Sequence, residues 1–163
     1  MKNLTIRFAE PDDLTACHTV ECNCFPASEA ALTSSIEKRI HEYPEGYLVA
    51  ELDGQIVGQV NSGATDKEDI TDEEFKQLIG HDPDGKNIVI FSLSVLPDFQ
   101  HRGIADQLMV EFIKQSHKLD KKRVLLLCKD DLIPYYSRHG FTDSGISESD
   151  HGGAEWHEMA LAL

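Results

Sequence analysis

Asn87 to His117 reads NIVIFSLSVLPDFQHRGIADQLMVEFIKQSH. Its first part, Ile88 to Val95, is an apolar, β-branched run of strand length and too short for a comfortable helix. Leu96-Pro97-Asp98 ends it, because proline cannot donate to a ladder and restricts the residue before it. Beyond Gln100-His101-Arg102-Gly103-Ile104-Ala105 the period changes to that of a helix. Ile104, Leu108, Phe112 and Ile113 share one side, and Asp106, Glu111 and Lys114 another. The stretch is therefore strand, glycine turn, helix.

Such a turn can hold an anion. The first backbone N–H groups of a helix lack intrahelical partners and carry the positive end of its dipole. Gly103 and the small Ala105 let a phosphate or pyrophosphate approach those donors. A plain strand-to-helix connection eased by glycine explains the spacing equally well. Two related readings fail: no Lys-Ser/Thr follows, as a P-loop requires, and one glycine past mid-chain is not the three-glycine dinucleotide fingerprint.

A chain of 163 residues is expected to form one domain, 1–163, with a real core. Its formal charge of -14, from 15 Lys+Arg against 29 Asp+Glu, argues against general nucleic-acid binding and would favour cationic ligands such as amines, although a solvated acidic surface is the commoner explanation. An anion held at the turn would then depend on local donors. The start, Met1-Lys2-Asn3-Leu4-Thr5-Ile6-Arg7, lacks the apolar centre of a signal peptide, and no segment reaches transmembrane length. No membrane association and a cytoplasmic location are expected. Cys17, Cys22, Cys24 and Cys128 read as reduced thiols; Cys22-x-Cys24 near His18 is not a zinc pattern, so no metal is expected.

Leu4–Phe8 alternates as a strand, and Glu10-Pro11-Asp12-Asp13 opens a helix bearing Leu14, Cys17, His18 and Glu21. Phe25-Pro26 breaks it. Ser28 is the predicted cap of a second helix with Ala30, Leu32, Ile36 and Ile40, closed by Pro44-Glu45-Gly46. Tyr47–Leu52, Asp53-Gly54 and Gln55–Val60 make the clearest hairpin, since Asp-Gly suits a two-residue type I′ turn. Residues 65–85 read as an exposed acidic insertion with a short helical pattern at Phe75, Leu78 and Ile79. Arg123–Cys128 is a buried strand. Ile133–Arg138 is a short helix with proline in its first turn, and strands around Phe141-Thr142 and Trp156–Leu161 finish the chain. The order β, α, α, β, β, β, α, β, α, β, β gives a mixed α/β (α+β) fold with a partly antiparallel sheet.

This order, together with two motifs, resembles the GNAT superfamily of acyl-CoA-dependent N-acyltransferases over nearly the whole chain. Gln100-His101-Arg102-Gly103-Ile104-Ala105 matches the family's Gln/Arg-x-x-Gly-x-Gly/Ala, and Tyr136-Ser137-Arg138-His139-Gly140-Phe141 its Tyr-x-x-x-Gly-Phe. Within the superfamily the chain looks most like the arylalkylamine (serotonin) N-acetyltransferase group. Leu93-Ser94-Val95 stands for Leu-Ala-Val, and Leu127–Tyr136 (LCKDDLIPYY) for Met-Cys-Glu-Asp-Ala-Leu-Val-Pro-Phe-Tyr. Phe25-Pro26-x-x-Glu29-Ala30-Ala31 resembles the bacterial-type members. The vertebrate His-x-His pair is replaced by Val89 and Phe91, so that proton relay is absent.

The resemblance implies a mostly antiparallel sheet with one splayed parallel pair, acetyl-CoA as co-substrate, and direct acetyl transfer to a primary amine, of the small arylalkyl type. Backbone of Leu93, Ser94 and Val95 would hold the pantetheine arm, with an N–H near Val95 polarising the thioester carbonyl. His101, Arg102, Gly103, Ile104, Ala105 and Asp106 would hold the pyrophosphate. Tyr136 is implied as the acid that protonates the departing thiolate; a buried aromatic with a satisfied hydroxyl is the alternative. Glu29 is the first choice of base, with Glu21 and His18 behind it; a carboxylate favourable to a helix dipole is the other explanation of Glu29. Phe25, Pro26, Phe91 and Leu127 would wall the amine slot, or serve only as core. Acetylation of protein amino termini or lysines, and acyl-CoA sensing without turnover, are competing functions. A monomer or a homodimer fits the resemblance equally.

Overall fold

The computed structural model describes residues 3–163; Met1 and Lys2, part of the start read above for a leader, lie outside them. Seven strands form one sheet in the order β1-β2-β3-β4-β5-β7-β6. They are β1 (Leu4–Phe8), β2 (Leu48–Leu52), β3 (Gln55–Thr65), β4 (Asn87–Val95), β5 (Arg123–Cys128), β6 (Thr142–Ile146) and β7 (His157–Ala162). Helices α1 (Leu14–Cys24), α2 (Thr33–Glu42), α3 (Ile104–Lys118) and α4 (Ile133–Arg138) interrupt them in the expected order. Among the described residues no helix is long and apolar enough to cross a membrane.

Both faces of the sheet are covered, for reasons visible in the sequence. On one face the apolar side of α3 (Ile104, Leu108, Met109, Phe112) packs on Val57, Val60, Ile88, Ile90 and Val95. Each such fully buried side chain contributes roughly 1.5–3 kcal/mol of transfer free energy. On the other face Cys17 and Val20 of α1 and Ile36 and Ile40 of α2 close on Tyr47, Val49 and Ile56. The hairpin turn holds Asp53 at φ 51° and Gly54 at φ 84°, the left-handed pair a type I′ turn demands.

Two irregularities in β4 shape everything beyond them. Pairing with β3 runs Ser62↔Ile90 and then Asn61↔Ser92, so Phe91 is an extra residue in a bulge. The bulge resets the strand's alternation: Ile88 and Ile90 point to the α3 face before it, Leu93 and Val95 after it. Pairing with β5, the sheet's one parallel contact, covers only Asn87–Ile90 against Arg123–Leu126. Past those four pairs the strands part.

Two expectations need correction. Ser28 caps nothing: Pro26–Ala30 is a turn closed by Glu29 and Ala30 N–H groups on the Pro26 carbonyl, and α2 starts only at Thr33. The insertion is not simply exposed either. Ile70, Phe75 and Leu78 are buried, and Ile70 and Phe75 pack on Val89 and Leu125, because these apolar side chains cover the sheet face that α1 and α2 leave open.

Candidate active site

The parting of β4 and β5 opens a cavity of about 400 Å³, within the range of small-molecule sites. Its walls come from both faces of the sheet. Ile90, Leu126, Cys128 and Tyr136 belong to the α3 side, while Val89, Phe91, Ser92 and Leu127 look toward α1, α2 and the insertion. The cavity therefore passes through the sheet where its strands separate. Phe25, Pro26, Phe91 and Leu127 all line it, together with Leu93 and Glu29.

Below the gap stands the amino end of α3. His101 (φ 63°) and Gly103 (φ 81°) wind the loop ahead of it through left-handed conformations. A Cβ at Gly103 would meet nothing within 4 Å, so glycine is required there for its backbone angle and not for space. No side chain caps the helix, and the first amides, Ile104, Ala105 and Asp106, find no side-chain acceptor among the described residues. Ile104 puts its own side chain into the core. Arg102 folds back, donating to the Asp98 carbonyl at 3.2 Å and lying 5.2 Å from the Phe99 ring centre. Asp106 pairs with His139 at 2.9 Å, a hydrogen bond that holds its carboxyl below the usual range.

Tyr136 sits on α4, seated by edge-on contacts with Tyr135 and Phe141. It lines the cavity, is 7% exposed, and has no side-chain hydrogen bond among the described residues. Burial pushes its phenol well above the ordinary value, with the Cys128 thiol adding to the effect. The hydroxyl therefore keeps its proton at neutral pH. Cys24 and Cys128 also line the cavity, and burial pushes both thiols up to about 11. Neither is a ready thiolate nucleophile.

Four carboxylate residues line the cavity, Glu21, Glu29, Glu73 and Asp131, and the first two are the candidate bases. Glu29 binds Lys129 Nζ at 2.8 Å. Glu21, 3% exposed, accepts from the Ala31 N–H (2.9 Å), Ser92 Oγ (2.9 Å) and Gln59 Nε2 (3.5 Å), all neutral donors. His18 does not line the cavity; it contacts Cys22 at 3.3 Å. Glu29 also anchors a roof. His151 reaches the Glu29 carbonyl (3.0 Å) and Glu73 (2.8 Å), and Trp156 Nε1 donates to the His151 carbonyl (2.9 Å). At Gly152 a Cβ would lie 2.6 Å from Glu29 Cγ, so this loop can cross so closely only as glycine.

Sequence reasoning missed Arg39, Ser92, His151 and Trp156. Arg39 lies on the same side of α2 as Ile36 and Ile40, at i+3 and i−1, and a charge on an apolar face was the available signal. The Ser92/Ser94 alternation was visible, but not the bulge ahead of it or the contact of Ser92 with Glu21. His151 and Trp156 come from a polar loop with no pattern of its own. No group of three or more metal-ligating side chains occurs among the described residues.

Comparison with known proteins agrees with this architecture. The family model described as "Acetyltransferase (GNAT) family" matches residues 13–141. A curated relative, "Probable hydrolase YhcX" of Bacillus subtilis, is 25% identical over 147 residues, covering 85% of this chain and 28% of that protein. "Serotonin N-acetyltransferase" of Mesocricetus auratus is 28% identical over 136 residues, 81% of this chain and 59% of that one. The chain thus spans less than two thirds of both proteins. Among solved structures, the loading GNATL domain of CurA from Lyngbya majuscula superposes with a TM-score of 0.85 at 16% identity, over 98% of this chain and 97% of that one. Arabidopsis thaliana Naa50, in complex with the bisubstrate analogue CoA-Ac-MVNAL, gives 0.78 at 14% identity over 99% of both.

Proposed function

This chain belongs to the acetyltransferase (GNAT) family, and from that premise we propose that it moves an acetyl group from acetyl-CoA to the primary amine of a small molecule. The observation that carries the reading is the cavity through the parted strands, with a protonated, unbonded Tyr136 hydroxyl in its wall. In this reading the uncapped first turn of α3, with the His101–Gly103 loop, holds the pyrophosphate. The backbone of Leu93–Val95, freed from β5, takes the pantetheine arm. An N–H near Val95 polarises the thioester carbonyl.

The amine enters the α1–α2 side as an ammonium and gives one proton to a carboxylate. Glu29 is engaged by Lys129, whereas no cation lies within 4.0 Å of Glu21 among the described residues, so Glu21 becomes the acceptor ahead of Glu29. The nitrogen pair forms the C–N bond as the C–S bond breaks. Tyr136 gives its proton to the sulfur and regains one from the nitrogen, so one proton leaves to water overall. With both thiols near 11, no acyl-cysteine stage is invoked. The roof of His151 and Gly152 over Glu29 favours a small acceptor over a folded protein.

Thiol release from acetyl-CoA over a panel of amines and one amino-terminal peptide tests this. Release with small amines and none with the peptide is expected. If Glu21→Gln leaves the pH–rate profile unaltered while Glu29→Gln removes its lower limb, the base is Glu29. Acetyl-CoA binding without release on any acceptor makes the chain a sensor.

A further inference from the structure

Arg39 is a buried charge that the acetyl-transfer reading leaves unused. Arg39 is 3% exposed, yet among the described residues no carboxylate lies within 4.0 Å of its guanidinium. A buried charge without a partner costs several kcal/mol, roughly, unless something else satisfies it. Its hydrogen-bond partners are neutral, and Glu21 acts on it as a counter-charge from beyond 4.0 Å. Nε and one terminal nitrogen donate to the Lys76 carbonyl at 3.1 and 3.0 Å, and the other terminal nitrogen to Asn61 Oδ1 at 3.1 Å. The Phe91 ring lies 4.7 Å beneath. Of the five N–H bonds a guanidinium carries, three are thereby used.

Arg39 also lines the cavity, as does Ser35 one helical turn before it. Behind it, Asn61 Nδ2 is buried with no acceptor. Glu21 is the converse case in the same cavity: a buried carboxylate with only neutral donors. These two opposite charges share one cavity without touching. A ligand carrying both charges would find a counter-charge for each in this cavity.

We propose that the acceptor is an amino acid, its free carboxylate held by Arg39 while its amine faces Glu21. This rests on the acetyl-transfer reading above and adds the substrate class to it. An Arg–carboxylate pair is short, charge-assisted and often bidentate, and gains strength in a site shielded from water. Arg39 is then the specificity residue that separates amino acids from the corresponding amines and amides.

The test compares matched trios, phenylalanine with its amide and phenethylamine, and methionine with its amide and its decarboxylated amine, by thiol release from acetyl-CoA. At least about a tenfold higher kcat/KM for the acid is expected, the size of one charge-assisted contact. Arg39→Gln is expected to lower kcat/KM for the acids, through KM, at least about tenfold more than for the amines and amides, and Arg39→Lys restores part of the preference. Because Arg39→Gln also loosens the Lys76 segment, calorimetry on wild-type protein loaded with CoA supplies a second measurement: N-acetylphenylalanine binds at least about tenfold tighter than its amide. Equal kcat/KM across each trio, amines preferred to acids, or succinyl-CoA bound more tightly than acetyl-CoA through Arg39 overturns the amino-acid assignment and leaves acetyl transfer standing. Absence of thiol release with every acceptor, with no heat from either N-acetyl compound, overturns both.

Discussion

Tyr136 was singled out in the sequence only because a motif carried it; as a lone tyrosine it reads as core. The structure supplies the physical part, a buried hydroxyl that lines a cavity, its ionisation pushed upward by burial. Tyr136→Phe is expected to lower kcat by about 10²-fold or more with little change in KM, the usual range for a positioned proton donor, checked by steady-state thiol release. Arg39 was not legible, since an arginine in SIEKRIHE looks solvated until its neighbours on α2 are placed. One ion pair contributes to the stability of the fold in acid. Arg7 grips Asp13 at 2.8 and 3.1 Å, and this holds the Asp13 carboxyl below its ordinary 3.8. A lowered folded-state value means that the pair stabilises fully above about pH 4 and loses that contribution as pH falls through the lowered value. Urea midpoints taken from pH 6 to pH 2.5 should therefore fall more steeply for wild type than for Asp13→Asn.

Elements were read more securely than their edges. Hairpin, central strand and α3 follow from periodicity and turn chemistry, which are local. The start of α2 was misplaced because Ser28 has the right chemistry for a cap but lies in a turn whose amides are already taken by the Pro26 carbonyl. The Phe91 bulge was hidden for another reason: both halves of β4 alternate correctly, and only pairing with β3 reveals the change of phase. Gly63 on β3 sits against that bulge, where a Cβ would lie 2.8 Å from Phe91 and 3.1 Å from Phe75 and Leu78. Gly63→Ala is expected to cost about 1–3 kcal/mol by overpacking and to displace Phe91 into the cavity. Denaturant unfolding measures the first effect, and a raised KM for the acceptor the second.

At the scale of the molecule, the formal charge of -14 opposes the approach of any polyanion, so CoA held as proposed at the amino end of α3 would be bound by local donors within an unfavourable field. Added salt screens that field. The association rate of CoA should rise several-fold, roughly, between 10 and 150 mM salt, the reverse of what a basic nucleic-acid binder shows; stopped-flow mixing decides it. The four rungs joining Asn87–Ile90 to Arg123–Leu126 have a mechanical meaning as well. They are the spine of an open book, whose left-hand pages are β1 to β4 and right-hand pages β5 to β7. A guest lying between the leaves grips both covers and stops the binding from flexing. Deuterium uptake at those eight spine residues should therefore slow when CoA is added, although the guest touches none of their hydrogen bonds.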